Sequence, residues 1–359
     1  MKPYYILLHR ALVNVGDFLI GARTKELLEA VRPDRTIIVG EAWRPLDLQF
    51  DLDVINNAKA IIIAGGPGYV NHMYPDIYPL MSNLEKLEAP LTYLAGGFNS
   101  VPAPIEIIYK FRFSDGSRQL LDKMTDQGRK IGTRGFMTKQ VLDYNGYPQA
   151  VMVGDPAWYH LPSLGQEFVP PKHLRTIVFT PPANKPYFDQ AKQILAYIVK
   201  EFSNCSSSSE VIVSFHRGID ADFARFAESQ NCKVVDVSGN ISHLQFYDSC
   251  DLHVGYRLHA HLYFLSLRKP SYVIAEDFRA LESLNTLASF GFSGWYVDRI
   301  HSESGTQQWN AYLAPSLPKI LVEQIVNDRR TRFSRFAGLG TTIDSFYHSS
   351  MKPFLEQLP

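Results

Sequence analysis

Short apolar runs that read as buried strands recur along this chain, and several are followed by stretches with the apolar spacing of a helix. In the first half the runs are Tyr4–Leu8, Thr36–Val39, Ala60–Ala64, Leu91–Leu94 and Ala150–Val153. In the second they are Thr176–Phe179, Val211–Phe215, Lys233–Val237, Asp251–Gly255 and Ser271–Ala275. Helical spacing is expected from the Asn14–Asp17 loop to about Ala30, over Ser117–Asp126 and Met137–Tyr144, and then over Tyr187–Phe202, Ala221–Ser229, Ser242–Ser249, Leu258–Leu267 and Phe278–Phe290. Alternation of this kind predicts an α/β fold whose mainly parallel sheets are covered by helices on both faces.

A chain of 359 residues is long for a single core and suits two domains. Three prolines and a glycine in Leu161–Lys172 mark the predicted linker, giving domains over residues 1–165 and 170–335. A last helix is expected around Leu317–Arg332. The tail 336–359, with Phe346, Tyr347 and Phe354, is expected to pack back on the first domain. Two such domains face each other across a cleft, and ligands of parallel sheets sit at the carboxyl ends of strands.

Thirty-six basic and 36 acidic side chains cancel, so no global field gathers nucleic acid or an acidic membrane surface, and an anionic ligand must be held by local charge. Cys205, Cys232 and Cys250 lack metal-ligand or redox spacing and read as free thiols of a reducing, cytoplasmic compartment. No apolar run approaches the length of a membrane span, which limits membrane contact to a peripheral one. The serine run Ser206–Ser209 reads as a surface loop before a strand.

Charge concentrates where the strand Asp251–Gly255 meets the next helix. Arg257, His259 and His261 fall at that helix start, where free N–H groups and the helix dipole favour an anion. With a helix starting near Tyr256, Arg257 and His261 share a face and His259 points elsewhere. A single histidine among apolar neighbours is more often structural, but three such residues in five positions after a strand favour anion binding.

Other strand ends supply weaker candidates. Asn14 and Asp17 flank Gly16, with Asp17 either capping the helix or meeting a substrate hydroxyl. Gly65 and Gly66 in AGGPG leave space above a strand end. Tyr69, His72, Tyr74 and Tyr78 beyond them suit either sugar stacking or rim cover. Arg134 is a second anion clamp or a surface ion pair, and His216-Arg217 brings another cation. Asp155 before Pro156 reads as a turn residue. No metal-ligand set, GxGxxG, Walker loop or GxSxG elbow is present, so no metal or other cofactor is expected.

Together NVGDFLIG, AGGPG, TRGFMTKQVL, VGDPAWYH and GYRLHAHLYFLSLRKPSYVI, spanning about Asn14 to Ala288, resemble the polysaccharide pyruvyl transferase family. The resemblance implies two Rossmann-like domains in a GT-B-like arrangement, and transfer of pyruvate from phosphoenolpyruvate onto a sugar of a cell-surface polysaccharide or its precursor as a ketal. It places Arg257, Leu258 and His259 in the donor site, with His259 catalytic, Arg134 as the first-domain arginine, and Arg279 where the family usually has a lysine. Asp17 is the second acid-base candidate, and Asn14, Gly65, Gly66 and His216 complete the substrate-binding set. Gly135 stands where an aspartate commonly follows the arginine. The acceptor it implies is a sugar, a lipid-linked saccharide included, met in the cytoplasm or at the inner face of the membrane. Two other readings use the same cleft: a GT-B-like glycosyltransferase with a nucleotide sugar, and a non-catalytic sugar or anion binding protein.

Overall fold

A computed structural model describes residues 2–203, 209–301 and 307–359. Cys205 and Ser206–Ser208 lie outside the described residues, whereas Ser209 is buried just ahead of a strand rather than part of a surface loop. Cys232 and Cys250 are free, buried thiols.

In the first half, β1 (Tyr4–His9), β2 (Thr36–Glu41), β3 (Ala60–Ala64) and β4 (Leu91–Leu94) form a parallel sheet in the order β2-β1-β3-β4. A parallel pair, β5 (Ile131–Thr133) and β6 (Ala150–Met152), continues it through a bridge from Gly96 to Thr133. β3 is AIIIA with every residue buried, as a strand covered by helices on both faces requires.

The second sheet contains β7 (Thr176–Thr180), β8 (Glu210–Phe215), β9 (Lys233–Asp236), β10 (Leu252–Gly255), β11 (Ser271–Ala275) and β12 (Gly291–Ser293), ordered β12-β11-β10-β7-β8-β9 and parallel throughout. Counted within its own half this is the Rossmann order, in which the winding direction reverses between the first and fourth strands. The first sheet reverses between β1 and β3. Each half therefore has a switch point where adjacent strands send their following loops to opposite faces of the sheet, leaving a crevice at the strand ends.

The helix expected to reach Phe290 stops at Leu287, because Ala288 takes a left-handed conformation (φ 49°) and the chain enters β12. An antiparallel hairpin, β13 (Trp295–His301) and β14 (Gln307–Leu313), follows. Neither β12 nor the hairpin stood out in the sequence. The C-terminal helices return to the first half: Tyr5 donates to the Pro359 carbonyl at 2.7 Å, and Phe346 packs on Trp158 and Phe136. No helix of the described residues is long and apolar enough to cross a membrane.

Candidate active site

The two switch points face each other. A chamber of about 450 Å³ is lined from the first half by Arg10, Asn14, Asp17, Gly65 and Gly66, and from the second by Arg217 and Arg279. It adjoins a recess of about 30 Å³ walled by His216, Arg217, Arg257, Leu258, His259, Glu276 and Arg279. Asn14, Arg217 and Arg279 line both spaces. The recess has room for about one water, so a ligand reaching it must also occupy the chamber.

On the first-half wall, Asn14 caps the helix Val15–Val31, its side chain accepting from the Gly16 N–H at 3.4 Å. Asp17 is therefore released from capping and lies in the first turn, facing the chamber. Gly65 and Gly66 have φ of +41° and +88°, which a side chain would strain, and their carbonyls accept from the buried Tyr93 hydroxyl at 2.9 and 3.2 Å. The glycine turn is a fixed floor. Of the tyrosines beyond it, Tyr69 and Tyr78 are fully buried in the core and cannot stack on a sugar.

On the second-half wall, the helix runs over Leu258–Ser266, starting where the Leu258–Leu267 run predicts, and Arg257 is its N-cap in an extended conformation rather than part of a helix starting near Tyr256. Arg257 and His261 consequently do not share a helix face. The Arg257 N–H donates to Thr180 Oγ1 at 3.2 Å and its guanidinium to the Pro182 carbonyl at 3.3 Å, leaving Nε buried without a partner. Burial, partly countered by Glu276, pushes Arg257 down to about 10, still well above neutrality. Glu276 accepts from the N–H groups of Ala183 and Asn184 at 3.0–3.1 Å, and burial raises its pKa. Asp277 caps the helix Phe278–Leu287 through the Arg279 N–H and grips the Arg279 guanidinium, with Nε at 2.9 Å. Burial opposes charge on Arg279, but Asp277 outweighs it and raises its pKa. Arg10 and Arg217 also line the chamber, and neither forms an ion pair with a carboxylate among the described residues. Arg10 escaped the sequence reading, although a cation directly after a strand was its signal.

The histidines divide by environment. His253 Nδ1 and His261 Nδ1 each lie 2.8 Å from Ser271 Oγ in the core, and burial lowers both pKa values, that of His261 to about 3. They are structural. His216 walls the recess, but its Nε2 is 2.8 Å from the Tyr247 hydroxyl and burial drives its pKa well below the ordinary value, so it stays neutral. His259 also walls the recess, its Nε2 buried without a hydrogen-bond partner. Its ring packs on the start of the first helix, where a Cβ on Gly16 would come within 2.6 Å of Nδ1.

Behind His259 lies a fully buried pair: Arg134 Nε is 2.7 Å from Asp155 Oδ2, and that same oxygen is 3.6 Å from His259 Nε2. Arg134 is thus no clamp on the cleft surface. It lines neither space and holds a carboxylate instead. Asp155 does form the expected turn, Oδ1 accepting from the Ala157 N–H at 2.9 Å, while its other oxygen meets both cations. Burial opposes its ionisation, yet Arg134 and then His259 hold the carboxyl at about 2.

The glycine after Arg134 has a packing cause. Gly135 heads the helix Phe136–Tyr144, and a Cβ there would come within 2.5 Å of Glu282 and Thr286. Those two side chains, from the other half, cap the helix: Glu282 accepts from the Thr138 N–H at 2.6 Å and Thr286 from the Phe136 N–H at 3.3 Å. An aspartate at 135 would cap the helix locally; here the cap comes across the cleft.

Glu282 is fully buried, and burial, against the Thr138 hydrogen bond, raises it to about 7. Its folded pKa lies above the unfolded one, so the fold binds the extra proton. The contribution of Glu282 to stability is greatest below the ordinary carboxylate range and declines as pH rises through about 7. Replacing Glu282 with Gln should flatten the melting temperature between pH 5 and 8. It should also stabilise the protein at pH 8 by at most on the order of 3 kcal/mol. Parallel melts of both proteins across that range check this.

The family model for polysaccharide pyruvyl transferase matches residues 14–277. The search of curated proteins returned no match. Among solved structures, a protein of Listeria monocytogenes provisionally assigned as a UDP-N-acetylglucosamine 2-epimerase is 11% identical with a TM-score of 0.56, over 99% of this chain and 97% of that one. MnaA of S. aureus in complex with UDP is 9% identical at 0.55, covering 98% of each chain. The UDP-GlcNAc 2-epimerase of Neisseria meningitidis bound to UDP-GlcNAc is 9% identical at 0.52, over 98% of this chain and 100% of that one. At such identities the likeness shows the fold alone: two Rossmann-like domains facing a cleft, arranged as in GT-B proteins.

Proposed function

This chain belongs to the polysaccharide pyruvyl transferase family, and on that premise we propose that it moves pyruvate from phosphoenolpyruvate onto a sugar of a cell-surface polysaccharide or its precursor as a ketal. The observation that carries this reading is the convergence of Arg217, Arg257 and Arg279 with His259 in a recess that opens into a larger chamber. Phosphoenolpyruvate brings a carboxylate and a phosphate, and the guanidinium forks and the helix start at Leu258 supply matching donors. Arg279 keeps the positive charge of the lysine usual in the family and is held rigid by Asp277. The chamber beside Asp17, Arg10 and the Gly65-Gly66 floor is assigned to the acceptor, a lipid-linked saccharide included.

His259 supplies the proton to the methylene carbon, which becomes a methyl group and leaves C2 electrophilic. One sugar hydroxyl adds to C2, the C2–O bond to phosphate breaks, and a second hydroxyl closes the ketal. Of the two hydroxyl protons released, one replaces that given to carbon and the other leaves with phosphate. Asp17, half-buried on the chamber wall, is assigned the proton of the entering hydroxyl.

The test is phosphate release from phosphoenolpyruvate with hexose-containing acceptors, followed by detection of an acid-labile ketal. Turnover should persist in chelator, since side-chain cations take up the donor's charge. Phosphate release that ignores phosphoenolpyruvate and requires a nucleotide sugar would replace this reading with glycosyl transfer. Binding of sugar or phosphoenolpyruvate with no turnover would favour a sensor. Arg257→Ala should weaken phosphoenolpyruvate binding by about 10- to 100-fold, or ~1.5–3 kcal/mol. Isothermal titration of the two proteins measures it, and unchanged affinity would remove Arg257 from the donor site.

A further inference from the structure

We propose that Asp155 is the positioning residue of His259, fixing the imidazole in the tautomer whose Nε2 carries the proton; the use made of it in turnover rests on the pyruvyl-transfer reading. Three strand and helix ends meet here: Arg134 follows β5, Asp155 follows β6, and His259 opens the second-half helix. Asp155 Oδ1 is committed to the Ala157 N–H, so Oδ2 is the oxygen available to the ring. An ionised carboxylate only accepts hydrogen bonds, and a bare imidazole nitrogen 3.6 Å from it would set lone pair against lone pair. An N–H on Nε2 turns that repulsion into attraction. Arg134, buried and 2.7 Å away, keeps Asp155 in place and ionised, consistent with a carboxyl held at about 2.

The other edge of the ring is equally constrained. Nδ1 abuts Gly16, where any side chain would collide with the imidazole, so the ring is clamped between the start of the first helix and the buried carboxylate. The Asp155 contact is just beyond hydrogen-bond length, and such contacts tighten when a substrate closes the site. With Nε2 protonated, Nδ1 holds the lone pair, on the side of Asn14 and Gly16. Nδ1 is then the nitrogen that gives the proton to the phosphoenolpyruvate methylene and regains one of those released by the sugar hydroxyls, while Nε2–H stays on Asp155 throughout. Asp155 never touches substrate.

Protein labelled with ¹⁵N at histidine tests this through long-range proton-nitrogen correlations, the His259 signals being those absent from His259→Gln. We expect the neutral ring as Nε2–H in the unaltered protein and a changed tautomer ratio in Asp155→Asn. We also expect kcat to fall by about 10- to 100-fold in Asp155→Asn with KM for phosphoenolpyruvate within about threefold, and Asp155→Glu to restore part of both. A ring found as Nδ1–H in the unaltered protein overturns the proposal, even if Asp155→Asn fails to fold. So does a folded Asp155→Asn with an unaltered tautomer, or one whose loss lies in KM. The tautomer is read without turnover. An Nε2–H ring in a protein that never consumes phosphoenolpyruvate would therefore uphold the pairing and reject the pyruvyl-transfer reading.

Discussion

His259→Gln should bind phosphoenolpyruvate close to normally while its turnover drops by about 10²–10⁴-fold. The imidazole walls the recess and packs on Gly16, so a glutamine of similar reach keeps that packing and a hydrogen-bonding group. What it removes is the ability to give and take a proton. On the proposed reading the donor's charge falls to Arg217, Arg257 and Arg279, and Arg257 and Arg279 are held by Pro182 and Asp277 rather than by His259, so affinity should survive. Stopped-assay kcat and calorimetric Kd on protein with an unchanged circular dichroism spectrum separate the two. Normal turnover would disqualify His259 as the acid and move attention to Asp17. His216 is then no alternative, because it is neutral and bound to Tyr247.

The sheets were readable because a strand covered on both faces has to be a short continuous apolar run, and AIIIA or SYVIA has few other uses. The hairpin was not, since Trp295–His301 and Gln307–Leu313 intersperse polar residues among the apolar ones and lack a continuous apolar run. At the site, RLHA was legible from charge density after a strand. The division of labour within it was not, because helix register decides it and the helix starts at Leu258 rather than Tyr256. Asp155 was discounted because its local job as a turn cap fully accounts for an Asp-Pro pair; only tertiary structure shows its second oxygen between Arg134 and His259. Gly135 is similar. Its reason lies in Glu282 and Thr286, nearly the length of a domain away in sequence.

Arg134→Ala separates the sequence expectation from the structure, because the two place the loss in different measurements. A cleft arginine that clamps an anion would, when truncated, raise the Kd for phosphoenolpyruvate and leave stability nearly untouched. In the structure Arg134 and Asp155 are both wholly buried, and truncation leaves a carboxylate in a low-dielectric site without its main counter-charge. Breaking such a pair from one side costs roughly 3–5 kcal/mol, more than the pair adds over an apolar replacement. The expected result is therefore a large fall in denaturant midpoint. Asp155→Asn on the Arg134→Ala background should recover part of it, since the stranded charge is gone. The pH response gives a further check. Asp155 has a depressed folded pKa of about 2, so its contribution to stability is complete above the ordinary carboxylate range and is lost only as pH falls toward that value. Arg134→Ala should abolish that advantage, so that the variant's deficit narrows in acid, where Asp155 can take up a proton. An unchanged midpoint with weakened phosphoenolpyruvate binding would instead return Arg134 to the donor site.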